Sequence, residues 1–231
     1  MKKIGLIGGI GPASTVEYYR LLIEGFRETL NTDAYPEIVL YSIDMTEMLG
    51  YVFSNQLDKL VAFLKDKISL LEAAGVEYAA LASNTPHLVF NELAAAVNVN
   101  MISIVEATCE AIQAQGLKKV GLLGTKSTMS RGFYQRAAAH HGMEMVIPEE
   151  ASQDYIHEKY MGELVFNQIL PETKNRLIRI VEDLRTDHGI EGIVLGGTEL
   201  PLILSQGDFD SLTVFNTTEI HVGALVDKMV D

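Results

Sequence analysis

A chain of 231 residues, 48% of them hydrophobic, can bury a substantial core, and its length suits one large domain or two modest ones. Its formal net charge of −13 and lack of any Lys/Arg cluster exclude the concentrated basic face that a nucleic-acid partner demands. A lone cysteine, Cys109, excludes an intramolecular disulfide framework; with no apolar run near the ~20 residues of a membrane helix and no signal-peptide cleavage region in "MKKIGLIGGIG", the expectation is a cytoplasmic protein without membrane contact.

Taken in chain order, hydrophobic periodicity predicts a strand at 4–7, a helix at 15–30, a strand at 37–43, a helix at 55–74 and a strand at 78–82. A short helix at 92–97, a strand at 101–104, a helix at 105–115 and a strand at 120–123 follow. Beyond these come a helix from Arg131, a short strand near 144–147, helices within 155–168 and 171–188, strands at 192–195 and 212–215, and a closing helix to Met229. Strands alternating with helices imply right-handed crossovers and mainly parallel, helix-flanked sheets, so the fold class is α/β.

The halves repeat each other. "KKIGLIGG" at 2–9 returns as "KKVGLLGT" at 118–125, and "EYAALASNTPH" at 77–87 returns as "EGIVLGGTELP" at 191–201. Each half thus opens with a strand ending in a glycine turn and later carries a strand ending in a small residue followed by polar side chains. Two pseudo-symmetric lobes are expected, the first formed by residues 1–98 plus 212–231 and the second by 99–211. Because open parallel sheets bind ligands beyond the carboxyl ends of their strands, the repeat leads us to expect an interlobe cleft in which Ser83 and Gly197 are counterparts.

Several residues carry two readings. Asn84, Thr85, Thr198 and Glu199 either contact a ligand or cap helices; Thr125 and Thr128, in the second glycine turn, divide the same way. Ser83 is a ligand contact or a small packed residue, and Gly197 a vacated functional position or a glycine required by backbone conformation or close packing. His87 is a candidate base or an orienting histidine. Adjacent His140 and His141 cannot share one helical face and no HExxH or Cys-rich spacing occurs, so no metal site is expected. Cys109, one turn from Val105 and Ile112, reads as an inert core thiol. The opening glycines, with Asp44 ending the next strand, weakly match a dinucleotide fingerprint; Ser14 replaces the third glycine or alanine and Pro12 removes an amide.

The motifs "GLIGGIGPAST", "SNTPH" at 83–87, "GLLGTKST" at 121–128, "GGTELPLIL" at 196–204 and "NTTEIHVGAL" near the end resemble, in order and across nearly the whole chain, those of the aspartate/glutamate racemase family, in its aspartate racemase branch. The resemblance implies a homodimer that racemises a small amino acid without a cofactor, by exchange of the α-proton between two cysteines, one from each lobe. It implies catalytic positions at Ser83 and Gly197 and substrate contacts at Gly11, Asn84, Thr85, Thr125, Thr128, Thr198 and Glu199. Neither catalytic position carries a cysteine here. A glycine has no proton to exchange, and an alkoxide from Ser83 is a poor base unless activated. Racemisation is therefore expected to be absent or very slow, and Gly197→Cys, with or without Ser83→Cys, to restore exchange.

The resemblance also places an arginine that grips an acidic side chain at the segment 46–49, which here reads Thr-Glu-Met-Leu in a loop, and a lysine of like purpose near Glu163. Both departures point to a neutral or basic amino acid. Two other functions remain open: a non-catalytic amino-acid binding protein, and a lyase or decarboxylase using Ser83, His87 or Glu199.

Overall fold

A computed structural model describes residues 1–231. The first part of the chain runs β1 (Ile4–Gly8), α1 (Pro12–Leu30), β2 (Ile38–Ser42), α2 (Met45–Phe53), α3 (Leu57–Ala73), β3 (Tyr78–Leu81), α4 (Phe90–Ala96) and β4 (Asn100–Ile102). It continues through α5 (Ile104–Ala114), β5 (Lys119–Gly124), α6 (Lys126–Ser130), α7 (Phe133–His140), β6 (Glu144–Val146), α8 (Glu150–Gly162), α9 (Pro171–His188), β7 (Gly192–Gly196), β8 (Thr213–Asn216) and α10 (Thr217–Val230). Two compact units result: Met1–Ile104 with Thr218–Asp231, and Val105–Thr217. No helix is long and apolar enough to cross a membrane.

Each unit holds one four-stranded parallel sheet, ordered β2-β1-β3-β4 in the first and β6-β5-β7-β8 in the second. The α/β expectation and its two parallel sheets are thus observed, and the internal repeat is a repeat of strand order. Central strands β1 and β7 are buried along their whole length, which is why they read in the sequence as unbroken apolar runs: a parallel sheet is covered on both faces.

Strand alternation sorts the core of the first unit into two layers. Ile7, Ala79 and Leu81 pack with Leu60, Leu64, Ile68 and Leu71 of α3. On the other face, Ile4, Leu6, Ala80 and Ala82 pack with Tyr18, Leu22 and Phe26 of α1 and with Val222, Leu225, Val226 and Met229 of α10. Successive strand residues take opposite faces, and the helix residues recur every three or four positions, so both periodicities meet in one core. Each fully buried Leu or Phe in these stripes contributes about 1.5–3 kcal/mol by leaving water.

The paired "KK…E" motifs of the repeat have a structural cause. The Glu77 carboxylate accepts the Lys3 N–H at 3.2 Å, and the Glu191 carboxylate accepts the N–H groups of Lys118 and Lys119 at 2.7 and 2.9 Å. In each unit a glutamate starting the third strand of the sequence satisfies amides at the start of the first. The two amide hydrogen bonds hold the Glu191 carboxyl below its usual pKa.

One local expectation was wrong. Segment 46–49 is no loop: it lies in α2, whose N-cap Asp44 accepts the Thr46 and Glu47 amides at 2.8 and 3.4 Å. The helix expected from Arg131 is α7, which begins two residues later at Phe133; a short helix, α6, precedes it, and Gly132 between them takes φ 76°.

Candidate functional site

In each sheet the chain winds outward in opposite directions from the two central strands, which makes the β1/β3 and β5/β7 boundaries the switch points where the crevice of an open α/β sheet lies. The residues singled out by the sequence fall at these two places. Gly11 and Ser83, Asn84 and Thr85 follow β1 and β3; Thr125 and Thr128, and Gly197, Thr198 and Glu199, follow β5 and β7.

After β1 the glycines are explained locally. Thr15 of α1 accepts the Gly9 N–H at 2.8 Å and donates to the Gly11 carbonyl at 3.0 Å, while a side chain at Gly8 would collide with the Thr15 methyl. Gly9 itself has φ 87° and sits against the Ile43 backbone. With Asp44 engaged as the α2 cap, both halves of the dinucleotide match have structural causes that involve no nucleotide.

After β3, Ser83, Asn84 and Thr85 are all buried, at 7%, 2% and 6% exposure. The chain then enters a 3-10 turn, Thr85–Val89, in which Asn84 makes no side-chain capping bond. Capping therefore does not explain Asn84. His87 within this turn is structural: its Nδ1–H donates to the Ser83 carbonyl at 2.9 Å, and its Nε2 accepts the Ile104 N–H at 3.2 Å. Its ring stacks on Phe90 at 4.9 Å. Burial, with His221 nearby, lowers its pKa to about 3, and its one lone pair is committed to a backbone amide. It is not the replacement base considered above.

After β5, Thr125 caps α6 by accepting the Thr128 N–H at 3.2 Å, and the hydroxyls of the two threonines lie 3.1 Å apart. The Thr128 side chain fills the space that a Cβ on Gly124 would need, 2.9 Å from its Cγ2. Thr125 is thus a helix cap, and Thr128 lies inside the helix it caps.

The end of β7 holds the arrangement that sequence reasoning missed. Tyr160, on the buried stripe Gln153, Ile156 and Tyr160 of α8, lays its ring against Gly197. A Cβ built on Gly197 would stand 3.0 Å from both Cζ and Oη of that ring and closer still to Cε2. Gly197 shows no left-handed backbone angle, so close packing accounts for the glycine and conformation does not. The Tyr160 hydroxyl donates to the Glu199 carboxylate in a short hydrogen bond, and the Thr198 hydroxyl donates to the same oxygen at 2.9 Å. All three residues are buried, at 6%, 8% and 2% exposure for Tyr160, Thr198 and Glu199. Burial, and then the Glu199 charge, hold the Tyr160 phenol well above its ordinary pKa, so it stays a neutral donor. Nothing in the sequence ties Tyr160 to Gly197. An aromatic on a helical stripe reads only as core.

The remaining titratable candidates lie elsewhere in the packing. Cys109 is fully buried in α5, its thiol pushed up to about 12 by burial and by the Glu106 and Glu110 charges. His141 contacts Glu106 at 2.9 Å. Glu163 is raised by burial but held low overall by Lys159 at 2.7 Å and the Thr173 hydroxyl at 2.6 Å. Its charge is neutralised, which removes it as an argument against an acidic ligand.

Comparison with known proteins places these features in context. Residues 7–225 match the family model described as Asp/Glu/Hydantoin racemase. The broad specificity amino-acid racemase RacX of Bacillus subtilis is 30% identical over 146 residues, which span 62% of this chain and 63% of RacX. An aspartate racemase homologue from Pyrococcus horikoshii superposes with TM-score 0.87 at 40% identity, and a proposed Asp/Glu racemase from Yersinia pestis with TM-score 0.92 at 31% identity, each covering 100% of both chains.

Proposed function

The chain belongs to the Asp/Glu/hydantoin racemase family, and on that premise we propose that it binds a small amino acid at its strand ends and does not racemise it at an appreciable rate. In the first unit Asn84 and Thr85 after β3, with Gly11 in the turn after β1, and in the second Thr198 and Glu199 after β7, with Thr125 and Thr128 in the turn after β5, are the polar strand ends offered to the ligand's carboxylate and ammonium. No cofactor takes part. A buried carboxylate such as Glu199 suits an ammonium ion, and buried amide and hydroxyl donors suit a carboxylate.

One observation carries the non-catalytic half of the reading. Position 197 has no side chain, and the volume such a side chain would use is filled by the Tyr160 ring. With His87 committed to the backbone, an enzyme of altered chemistry would have to draw on Ser83 or Glu199. RacX is named for broad specificity, so the ligand class to test includes acidic, neutral and basic amino acids of both hands.

Thermal unfolding with such a panel tests the reading. A ligand present at 100 times its Kd should stabilise the fold by about 2.7 kcal/mol, and chiral chromatography should recover it unchanged. No stabilisation by any member, or rapid inversion or conversion of the one that binds, would overturn it.

A further inference from the structure

The geometry points to Tyr160 as the specificity-determining residue of the β7 end: its ring occupies the place of a residue-197 side chain and limits what a ligand's α-carbon can carry on that side. This rests on the amino-acid reading above for its ligand, but its packing half stands on Gly197 and Tyr160 alone.

The ring is fixed from two directions. α8 supplies it from the stripe that also buries Gln153 and Ile156, and the Glu199 carboxylate receives its hydroxyl. Thr198, between Gly197 and Glu199, anchors the same carboxylate oxygen. Three consecutive residues at the strand end are therefore organised around one phenol: Gly197 by lacking a side chain, Thr198 and Glu199 through the hydrogen-bonded carboxylate. A flexible tip would yield to an intruding atom, whereas an aromatic ring that is buried and hydrogen-bonded yields little. An α-hydrogen facing this ring fits. A methyl group there meets the same ring carbons that exclude a Cβ at position 197.

Two measurements test the proposal. The first is a packing cycle by thermal unfolding. Gly197→Ala should lower Tm by about 5 °C in the parent and by about the same amount beside Tyr160→Phe, which keeps the ring, but by little beside Tyr160→Leu, which removes it. Equal losses in all three backgrounds, or no loss in the parent, would overturn the occupancy of that place by Tyr160. The second compares alanine with 2-aminoisobutyric acid, which differs by one α-methyl. The parent and Tyr160→Phe should bind alanine about tenfold or more tightly than its α-methyl analogue, and Tyr160→Leu should bring the two within about threefold. Unchanged discrimination in Tyr160→Leu would overturn the specificity role. Failure of every variant and the parent to bind any amino acid would overturn the site reading and the specificity role with it, while the packing cycle still decides what fills the place beside Gly197.

Discussion

In heavy water, this protein should leave the α-proton of aspartate, glutamate and neutral amino acids of either hand in place, with exchange at the rate of a protein-free control. Removing that proton without a cofactor requires a base held against it and a donor on the opposite face. The only thiol is Cys109, buried in α5 and held protonated. Ser83 lacks an activating histidine, since His87 donates to the Ser83 carbonyl, and its acceptor nitrogen takes the Ile104 amide. Loss of one positioned acid or base removes ~10²–10⁴ in rate, and neither Ser83 nor Gly197 supplies a thiol here. The structure also changes what repair requires. Sulfur at position 197 needs space the Tyr160 ring now fills, so Ser83→Cys with Gly197→Cys should remain inert, and addition of Tyr160→Leu should restore measurable exchange. Brisk exchange by the unaltered protein, read by NMR loss of the α-proton signal, would sink this account of the chemistry.

Acid should destabilise the first unit well before its carboxylates titrate. His87 and His221 are both buried, and burial lowers their pKa values to about 3 and about 4, with His221 adding to the depression at His87. Each is built to be neutral: the His221 Nε2–H donates to the Ile102 carbonyl at 3.1 Å, leaving Nδ1 to accept the Tyr18 hydroxyl at 2.9 Å. In the unfolded chain both titrate near pH 6.5. Above that pH neither state is protonated and the full stability is present. As pH falls below it, the unfolded chain binds two protons that the folded unit refuses, and stability declines until the folded values are reached. At about 1.4 kcal/mol per pKa unit, the two depressions together amount to several kcal/mol, and half-buried His157 of the second unit adds in the same direction. Urea unfolding at a series of pH values should show stability falling between pH 6.5 and 4.5, with a shallower slope for His221→Gln. A flat profile from pH 7 to 5 would contradict the neutral, buried assignment of this pair.

How much of this was legible in the sequence depended on whether the cause was local. Buried strands such as β1 and β7 announce themselves because both faces are covered, so every residue is apolar or glycine. The repeated Lys-Lys and Glu positions were visible as text, and the structure supplies their reason in the carboxylate–amide bonds of Glu77 and Glu191. Helix α2 escaped notice because nine residues interrupted by Gly50 give a weak periodic signal, although Asp44 ahead of Thr46 and Glu47 was a readable cap. The glycine at 197 was legible as a departure, but its partner was not. Tyr160 lies 37 positions earlier on another element, and only the packing of α8 against the end of β7 brings the ring to it. His87 illustrates the opposite case: its residue type suggested chemistry, and two backbone hydrogen bonds assign it to structure.

A structure with an amino acid bound is the most direct test of the central claim. The account predicts the ligand's stereocentre in van der Waals contact with the Tyr160 ring beside Gly197, its charged groups held by Thr198 and Glu199. An amino acid bound away from the β7 strand end would contradict it.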